Sequence, residues 1–313
     1  MYQTLLYFLQ FLTHPLQSQY LTKPKIPLMH FPNFLYLTIV FFIGSSIGSF
    51  INVVVYRLPK KLYAEFKAEC VENAEPPKNG WFGLEYLITP SSTCPACGHK
   101  IRAWENIPIV GWFLLGGKCS NCKTAISKRY PAVEFLTALI SIFVAQRFGV
   151  TEMTAWVLLF SWILIALTAI DLDEQLLPDQ LTLPLLWLGL LFQMSAGHLE
   201  LSDSILGVIF GYGILWFIYH VFKMITGKEG MGYGDFKLLG ALGAWLGWQM
   251  IPLVLIFSSV TGAIFGILLA IIAKRDRQPP PMPFGPFLAA GGYIGMFWGD
   301  MLFAKYLIWI GIH

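Results

Sequence analysis

The stretch TAWVLLFSWILIALTAID, residues 154–171, decides the class of fold. Its apolar run Trp156–Ile170 carries no charge and ends abruptly on Asp171. A run of this length reads as a membrane-crossing helix. Charge at the end of such a helix is costly unless it faces protein or water, so Asp171 is a functional candidate. Working outward, a second aspartate stands in the same position relative to another apolar run. It closes Gly230-Met231-Gly232-Tyr233-Gly234-Asp235, and the next apolar segment begins at Phe236. Two facing carboxyls can share one proton, one acting as base and the other as acid, which is the chemistry of an aspartic protease.

The whole chain supports a membrane reading. It has 313 residues, of which 56% are hydrophobic and only 12% charged, and its mean hydropathy is +0.62. A water-soluble domain of this size cannot hide so much apolar side chain. Spanning segments are expected at about 34–56, 131–148, 154–170, 180–197, 203–225, 236–249, 251–273 and 284–312. The expectation is thus an all-α polytopic membrane protein with about eight transmembrane helices. Residues 236–273 are too long for one crossing, and Pro252 lies within them, so a helical hairpin is expected there; one bent helix is the competing reading. Gly240, Gly243 and Gly247 give the first arm a face suited to close helix packing.

Charge distribution sets the orientation. With the loop 57–130 in the cytoplasm and the spans alternating, nearly all Lys and Arg fall on the cytoplasmic side, and Lys23, Lys25, Arg147 and Lys305 fall outside it. The same alternation carries Asp171 and Asp235 to one membrane depth on one side. No basic residue precedes the first apolar stretch, Leu5–Leu12, which makes a poor secretory signal. Residues 1–33 are expected to form an N-terminal arm, 34–56 the first span, 57–130 a cytoplasmic loop domain and 131–313 a polytopic peptidase domain. Gln278–Pro283 reads as a stiff, Pro-rich connector.

Five cysteines are present, and four form two CxxC pairs, Cys94/Cys97 and Cys119/Cys122. Each pair can turn two thiolates toward one ion, and two pairs complete a tetrahedral zinc site. A reducing cytoplasm argues against disulfides. Four thiolates leave no open ligand position, so one structural zinc per chain is expected. Gly98 suits the tight turn after the first pair, His99 reads as an exposed turn residue, and Cys70 as a spare thiol.

Asp179 and Asp235 each precede an apolar helix and would also serve as helix caps. Asp171 and Asp173 cannot form the pair alone, because residues i and i+2 do not face each other on a helix. The three glycines before Asp235 exceed what a cap needs; they would let the backbone approach a substrate strand or adopt positive φ. Asp173, Glu174, Asp179 and Glu229 would make the approach acidic, or would be ordinary solvated turn residues.

With these residues in view, the chain resembles the type IV prepilin peptidases, membrane aspartic proteases with a GxGD motif. The resemblance runs from about Phe41 to Asp300. It rests on Gly48–Pro59, the cysteine loop with Trp104-Glu105-Asn106-Ile107-Pro108, Arg129-Tyr130-Pro131-Ala132-Val133-Glu134, both aspartate segments, and Pro283-Phe284-Gly285-Pro286. It implies that Asp171 and Asp235 are the catalytic pair. It further implies cleavage of the short basic leader of prepilin and pseudopilin precursors, and methylation of the new N-terminal amine, usually on Phe, from S-adenosylmethionine. The expected setting is the bacterial inner membrane, multi-pass, in contact with lipid, the catalytic face toward the cytoplasm and no nucleic acid as partner. The methyl-donor site has no pattern of its own: Trp104, Glu105 and Asn106 are candidates, and Glu134 has no role beyond pairing with Arg129 or Lys128. A proton-coupled transporter and an inert scaffold are the rival readings of the two aspartates.

Overall fold

A computed structural model of the chain describes residues 33–70, 91–272 and 282–309. The N-terminal arm and most of the Pro-rich connector 278–283 lie outside the described residues. Eight helices account for the eight expected segments. They are α1 Asn33–Glu69, α2 Arg129–Phe148, α3 Glu152–Glu174, α4 Asp179–Ser195, α5 Leu201–Thr226, α6 Tyr233–Leu246, α7 Ile251–Ile272 and α8 Gly285–Trp309. Among the described residues there is no strand; the described part of the loop between α1 and α2 holds two isolated antiparallel bridges, Thr93 with Lys100 and Lys118 with Ala125, a 3-10 turn at Ala103–Asn106 and a short helix at Val110–Leu114.

Among the described residues, six helices are long and apolar enough to cross a membrane. The other two are α4, of 17 residues, and α6, of 14 residues. At 1.5 Å per residue, α6 reaches only about 21 Å, less than the ~30 Å of a hydrocarbon core. The expected count of about eight crossings therefore rests on six full-length helices and two short ones.

The helix α1 outlasts its own hydrophobicity. Hydropathy falls after residue 56, but the helix continues to Glu69 with Pro59 inside it. Helical periodicity persists: Val55 and Leu58 are buried, with Leu62 packed beside them, while Lys60 and Lys67 face outward. Lys61 pairs with Glu65 at 3.3 Å, one turn on. Upstream, α1 lies directly on α2, because Gly44 and Gly48 present no side chain where Ser141 and the Glu134 backbone pass.

Residues 236–273 are two helices, as the hairpin reading expects. The chain breaks at Gly247, where φ is +77°, and a short 3-10 turn at Trp248–Met250 leads into α7. The buried helix is α6: every residue from Asp235 to Leu246 except Lys237 is buried. Trp245 fixes its far end. Its indole N–H donates to the Leu185 carbonyl at 2.8 Å, its own carbonyl accepts from Gln193 Nε2 at 2.7 Å, and its ring stacks on Phe192 with centroids 5.0 Å apart. Phe160, Leu164 and Leu167 of α3, Leu185 of α4, Leu215 of α5, Val254 of α7 and Leu288 of α8 complete this core.

The expected glycine face packs on α5, although Gly247 serves as the break. A Cβ on Gly243 would stand 2.1 Å from the Gly207 carbonyl oxygen, and one on Gly207 would stand 2.2 Å from that of Gly243. Both obstacles are backbone, so no rotamer change relieves them. Gly243→Val should therefore cost about 3 kcal/mol or more and lower the thermal unfolding transition in detergent. Gly213→Val, where an added Cβ meets nothing within 4 Å, should leave the transition in place.

Candidate active site

Asp171 sits in the last turns of α3. That helix starts at Thr151, whose hydroxyl caps the Thr154 N–H at 3.3 Å. It ends at Gln175, left-handed at φ 52°, whose N–H returns to the Asp171 carbonyl at 3.0 Å. Asp171 is 5% exposed. Its carboxyl accepts a 2.8 Å hydrogen bond on Oδ2 from the N–H of Gly285, the first residue of α8. A Cβ on Gly285 would lie 2.6 Å from that same oxygen, so a larger residue there would displace the carboxyl.

Asp235 is the third residue of α6 and is 8% exposed. Its carboxylate reaches back to the N–H of Gly232, the residue that caps the helix, and lies close enough to Asp171 for the two charges to interact. Leu177, in the short link from α3 to α4, packs between the two segments. A Cβ on Gly234 would stand 2.7 Å from Leu177 Cβ, and one on Gly285 would stand 3.2 Å from Leu177 Cδ2. Two acids separated by a long stretch of sequence are thus carried by segments that both pack on one leucine. Each takes a backbone N–H from a helix start, which suits a negative charge.

The capping reading is thereby replaced in part. The N-caps of α4 and α6 are Pro178 and Gly232, whereas Asp235 reaches back as the acid of a capping box does. The glycines before it act through packing: none of Gly230, Gly232 and Gly234 has a positive φ, and Gly230 and Gly234 admit Phe222 and Leu177 at close range.

The acidic rim is largely neutralised by cations of the protein itself. Asp173 pairs with Arg129, which also donates to the Ala169 carbonyl at 3.3 Å. Asp179 accepts both bonds of Lys237 Nζ, at 2.7 and 2.8 Å. Glu229 lies 2.7 Å from Lys223, whose ammonium holds the carboxyl below the usual carboxylate range. Glu174 faces the Tyr63 hydroxyl at 3.5 Å. These pairs tie helix ends together around the two aspartates, and the sequence gives no spacing that would reveal them. Gly285 was also missed as a site residue. A glycine between an aromatic residue and a proline at a helix start was its available signal.

The cysteine loop is two copies of one knuckle. In the first, Cys94 N–H bonds the His99 carbonyl at 2.9 Å and Gly98 N–H returns to Cys94 at 2.9 Å. In the second, Cys119 N–H bonds the Thr124 carbonyl at 2.9 Å and Lys123 N–H returns to Cys119 at 3.1 Å. Gly98 and Lys123 hold the matching left-handed position, at φ 70° and 60°. The sulfurs of Cys94, Cys97, Cys119 and Cys122 all lie within 4.8 Å of one another, Cys94 and Cys122 at 3.7 Å. Metal–thiolate bonds of about 2.3 Å place tetrahedral sulfurs about 3.8 Å apart, so the four can hold one metal ion. Cys70 is exposed and outside this group.

His99 is half-buried, contrary to its expected exposure. Its Nε2 lies 3.5 Å from Glu105 Oε2 and 3.3 Å from the Ser120 hydroxyl. Glu105 is buried, and its Oε2 accepts the Arg102 N–H at 2.9 Å. Bonds from Arg102 and Ser120 and the nearby imidazole hold its carboxyl below the ordinary range. Its Oε1 is buried without a partner among the described residues. Glu105 therefore joins the two knuckles, while Trp104 beside it is half exposed. Glu134 pairs with neither Arg129 nor Lys128; it accepts the backbone N–H of Ile109 at 2.6 Å.

Comparison with known proteins bears directly on this arrangement. The bacterial peptidase A24 N-terminal domain matches residues 42–148, and the type IV leader peptidase family matches residues 158–267. A prepilin leader peptidase/N-methyltransferase of Aeromonas salmonicida is 51% identical over 284 residues, covering 90% of this chain and 97% of the relative. Proteins of the same name from Pseudomonas aeruginosa and Legionella pneumophila are 50% and 41% identical, covering 86% and 90% of this chain and 92% and 97% of the relatives. No solved structure matches.

The sulfur cluster makes a direct prediction. Purified protein should carry about one thiolate-bound metal ion per chain. Four thiols should resist alkylation until a chelator is added, while Cys70 reacts at once. Immediate reaction of all five in native protein, with no metal by elemental analysis, is the contrary result.

Proposed function

The chain belongs to the type IV leader peptidase family, and from that premise we propose that it is a membrane aspartic endopeptidase with Asp171 and Asp235 as its catalytic pair. It removes the short basic leader of type IV prepilins and pseudopilins, then methylates the new N-terminal amine, usually of phenylalanine, with S-adenosylmethionine as donor. The observation that carries this reading is the meeting of two buried aspartates at the ends of α3 and α6, each anchored by one backbone N–H.

Hydrolysis follows from the pair. One carboxylate takes a proton from a water while the protonated partner gives its proton to the scissile carbonyl oxygen, forming a tetrahedral diol. Collapse breaks the C–N bond: the leaving amine takes a proton from the carboxyl that gained one, and a diol hydroxyl returns its proton to the other carboxylate, leaving the new acid and a pair that again holds one proton. The bonds from Gly285 and Gly232 fix each carboxyl before substrate arrives, so little reorganisation is left for the reaction itself. Proton-coupled transport is less well supported, because both acids lie at helix ends and transporter sites usually lie near the midplane.

The positive-inside bias supports a cytoplasmic position for the cysteine loop and the aspartate ends of the helices, in the inner membrane. A pilin precursor keeps its leader in the cytoplasm and its apolar helix in the bilayer, so its scissile bond meets the pair at that boundary. The four thiolates would hold a structural zinc, which fastens the two knuckles of the loop domain. Methyl transfer needs a neutral amine aligned with a sulfonium methyl group, largely a matter of positioning. The loop domain, 57–130, with Trp104–Asn106 exposed in part, is the proposed place for it.

Purified protein incubated with a prepilin and labelled S-adenosylmethionine should yield a product that has lost the leader mass and gained the label. Asp171→Asn should still label a pilin supplied already cleaved, because neither aspartate needs to ionise for methyl transfer. Changes at Trp104–Asn106 should reduce labelling more than cleavage. If Asp171→Asn loses labelling while folded and the loop variants keep it, the division of labour between membrane site and loop is wrong.

A further inference from the structure

Glu134 is a buried carboxylate that the proposed chemistry does not use. It lies in the second turn of α2, where Gly48 of α1 passes close against its backbone and the Ser49 hydroxyl bonds its carboxylate. Its Oε2 accepts the N–H of Ile109 at 2.6 Å, from the part of the cysteine loop between the two CxxC pairs.

Ile109 is an unusual residue to find there. Its φ and ψ are 64° and −56°, and the N–H of Val110 returns to the Pro108 carbonyl at 2.6 Å. That is a γ-turn of the rare, strained kind, with central φ near +75° and ψ near −65°. A β-branched residue at positive φ is a true outlier and persists only where the surroundings over-determine it. Here the surroundings supply a buried carboxylate on the turn's own N–H. The turn is also continuous with the knuckles. Two residues on, Gly111 packs on the Glu105 backbone, where a Cβ would stand 2.3 Å from the carbonyl oxygen. Glu105 in turn holds Arg102, His99 and Ser120.

We propose that Glu134 is a positioning residue: by holding the Ile109 turn it fixes the cysteine loop on the membrane helices, at a set place beside the aspartate site. The start of α2 is joined to the rest of the site on two further sides. Arg129 pairs with Asp173 and bonds the Ala169 carbonyl, and Asn52 of α1 donates to the Tyr130 carbonyl at 3.1 Å. The first turns of α2 therefore connect the loop, α1 and the end of α3 that bears Asp171. What Glu134 contributes is reach and an acceptor oxygen, rather than charge toward a substrate.

Three substitutions separate these properties. Glu134→Gln keeps the length and an acceptor oxygen but loses the charge. Glu134→Asp keeps the charge but falls short by one carbon–carbon bond, about 1.5 Å. Glu134→Ala loses both. The measurement is hydrogen exchange of residues 107–114 in full-length, metal-loaded protein in detergent, with thiol alkylation alongside. Gln should stay within about threefold of wild type, whereas Asp and Ala should exchange roughly tenfold faster or more, as expected for loss of an amide bond to a carboxylate. The four thiols should remain protected throughout. If Ala does not fold, the contrast between Gln and Asp decides.

The consequence for activity rests on the proposed peptidase reading. With Asp171 carried by α3 and bonded to α8, and Asp235 carried by α6, loosening the loop should raise KM for a prepilin severalfold in the Asp variant and leave kcat nearly unchanged. Should the peptidase reading fail, wild type too will not cleave, while the exchange pattern still tests Glu134. An Asp variant like wild type beside a Gln variant like Ala would overturn the proposal, as would unchanged exchange in all three. A fall in kcat without a rise in KM, or thiols exposed along with the turn, would overturn it as well.

Discussion

A carboxylate withdrawn from water must find hydrogen-bond donors, and the arrangement of the helices around Asp171 and Asp235 answers that need. Removing an ion-sized group from solvent costs several kcal/mol unless it is paired or hydrogen-bonded. Neither aspartate has a cation as partner among the contacts described; the nearby lysines and Arg129 are engaged with Asp173, Asp179 and Glu229. Each instead takes a backbone N–H at a helix start, Asp171 from Gly285 and Asp235 from Gly232. A helix N-terminus offers unsatisfied N–H groups and a favourable dipole, so it stabilises the anion without neutralising it. A neighbouring lysine would pin both acids in the ionised form, which would defeat a pair that must exchange one proton.

Placing those helix starts correctly requires glycine and a short buried helix. Leu177 approaches Gly234 and Asp171 approaches Gly285 so closely that a Cβ at either position would shift them. The backbone contact of Gly207 with Gly243 lets α6 sit against α5, and Trp245, bonded at both its indole and its carbonyl, locks the other end. With no hydrophobic drive between helices in lipid, such backbone approach and buried polar bonding provide the association energy. α6 does not need to cross the bilayer alone, because it lies inside the protein. That burial explains why a 14-residue helix can present Asp235 at a fixed depth.

Much of this was legible in the sequence, for reasons that differ by feature. Apolar runs and interrupting glycines and prolines mark the helices α1 to α8, because helix formation in an apolar medium depends on composition. That 236–273 breaks was visible as a run too long for one span, but the break falls at Gly247, which was expected in the packing face, and Pro252 lies inside α7. The paired CxxC motifs announced the sulfur cluster because ligand spacing is local. What could not be read was long-range: Gly285 under Asp171, the Lys237–Asp179 and Arg129–Asp173 pairs, and the Glu134–Ile109 bond each join distant segments. The extension of α1 to Glu69 was hidden for another reason. Its helical periodicity continues after the hydropathy that signals a membrane has ended. His99 looked exposed because its partners, Glu105 and Ser120, reach it only once the two knuckles are packed together.

The central claim is that Asp171 and Asp235 act as one unit on a peptide bond. Single-turnover cleavage of a prepilin by Asp171→Asn, Asp235→Asn and the double variant, each verified as folded and metal-loaded, tests it most directly. Groups that act as a unit are grossly non-additive, so each single variant should fall to the same background as the double. A single variant that retains substantial cleavage, or losses that multiply between the two sites, would contradict the account.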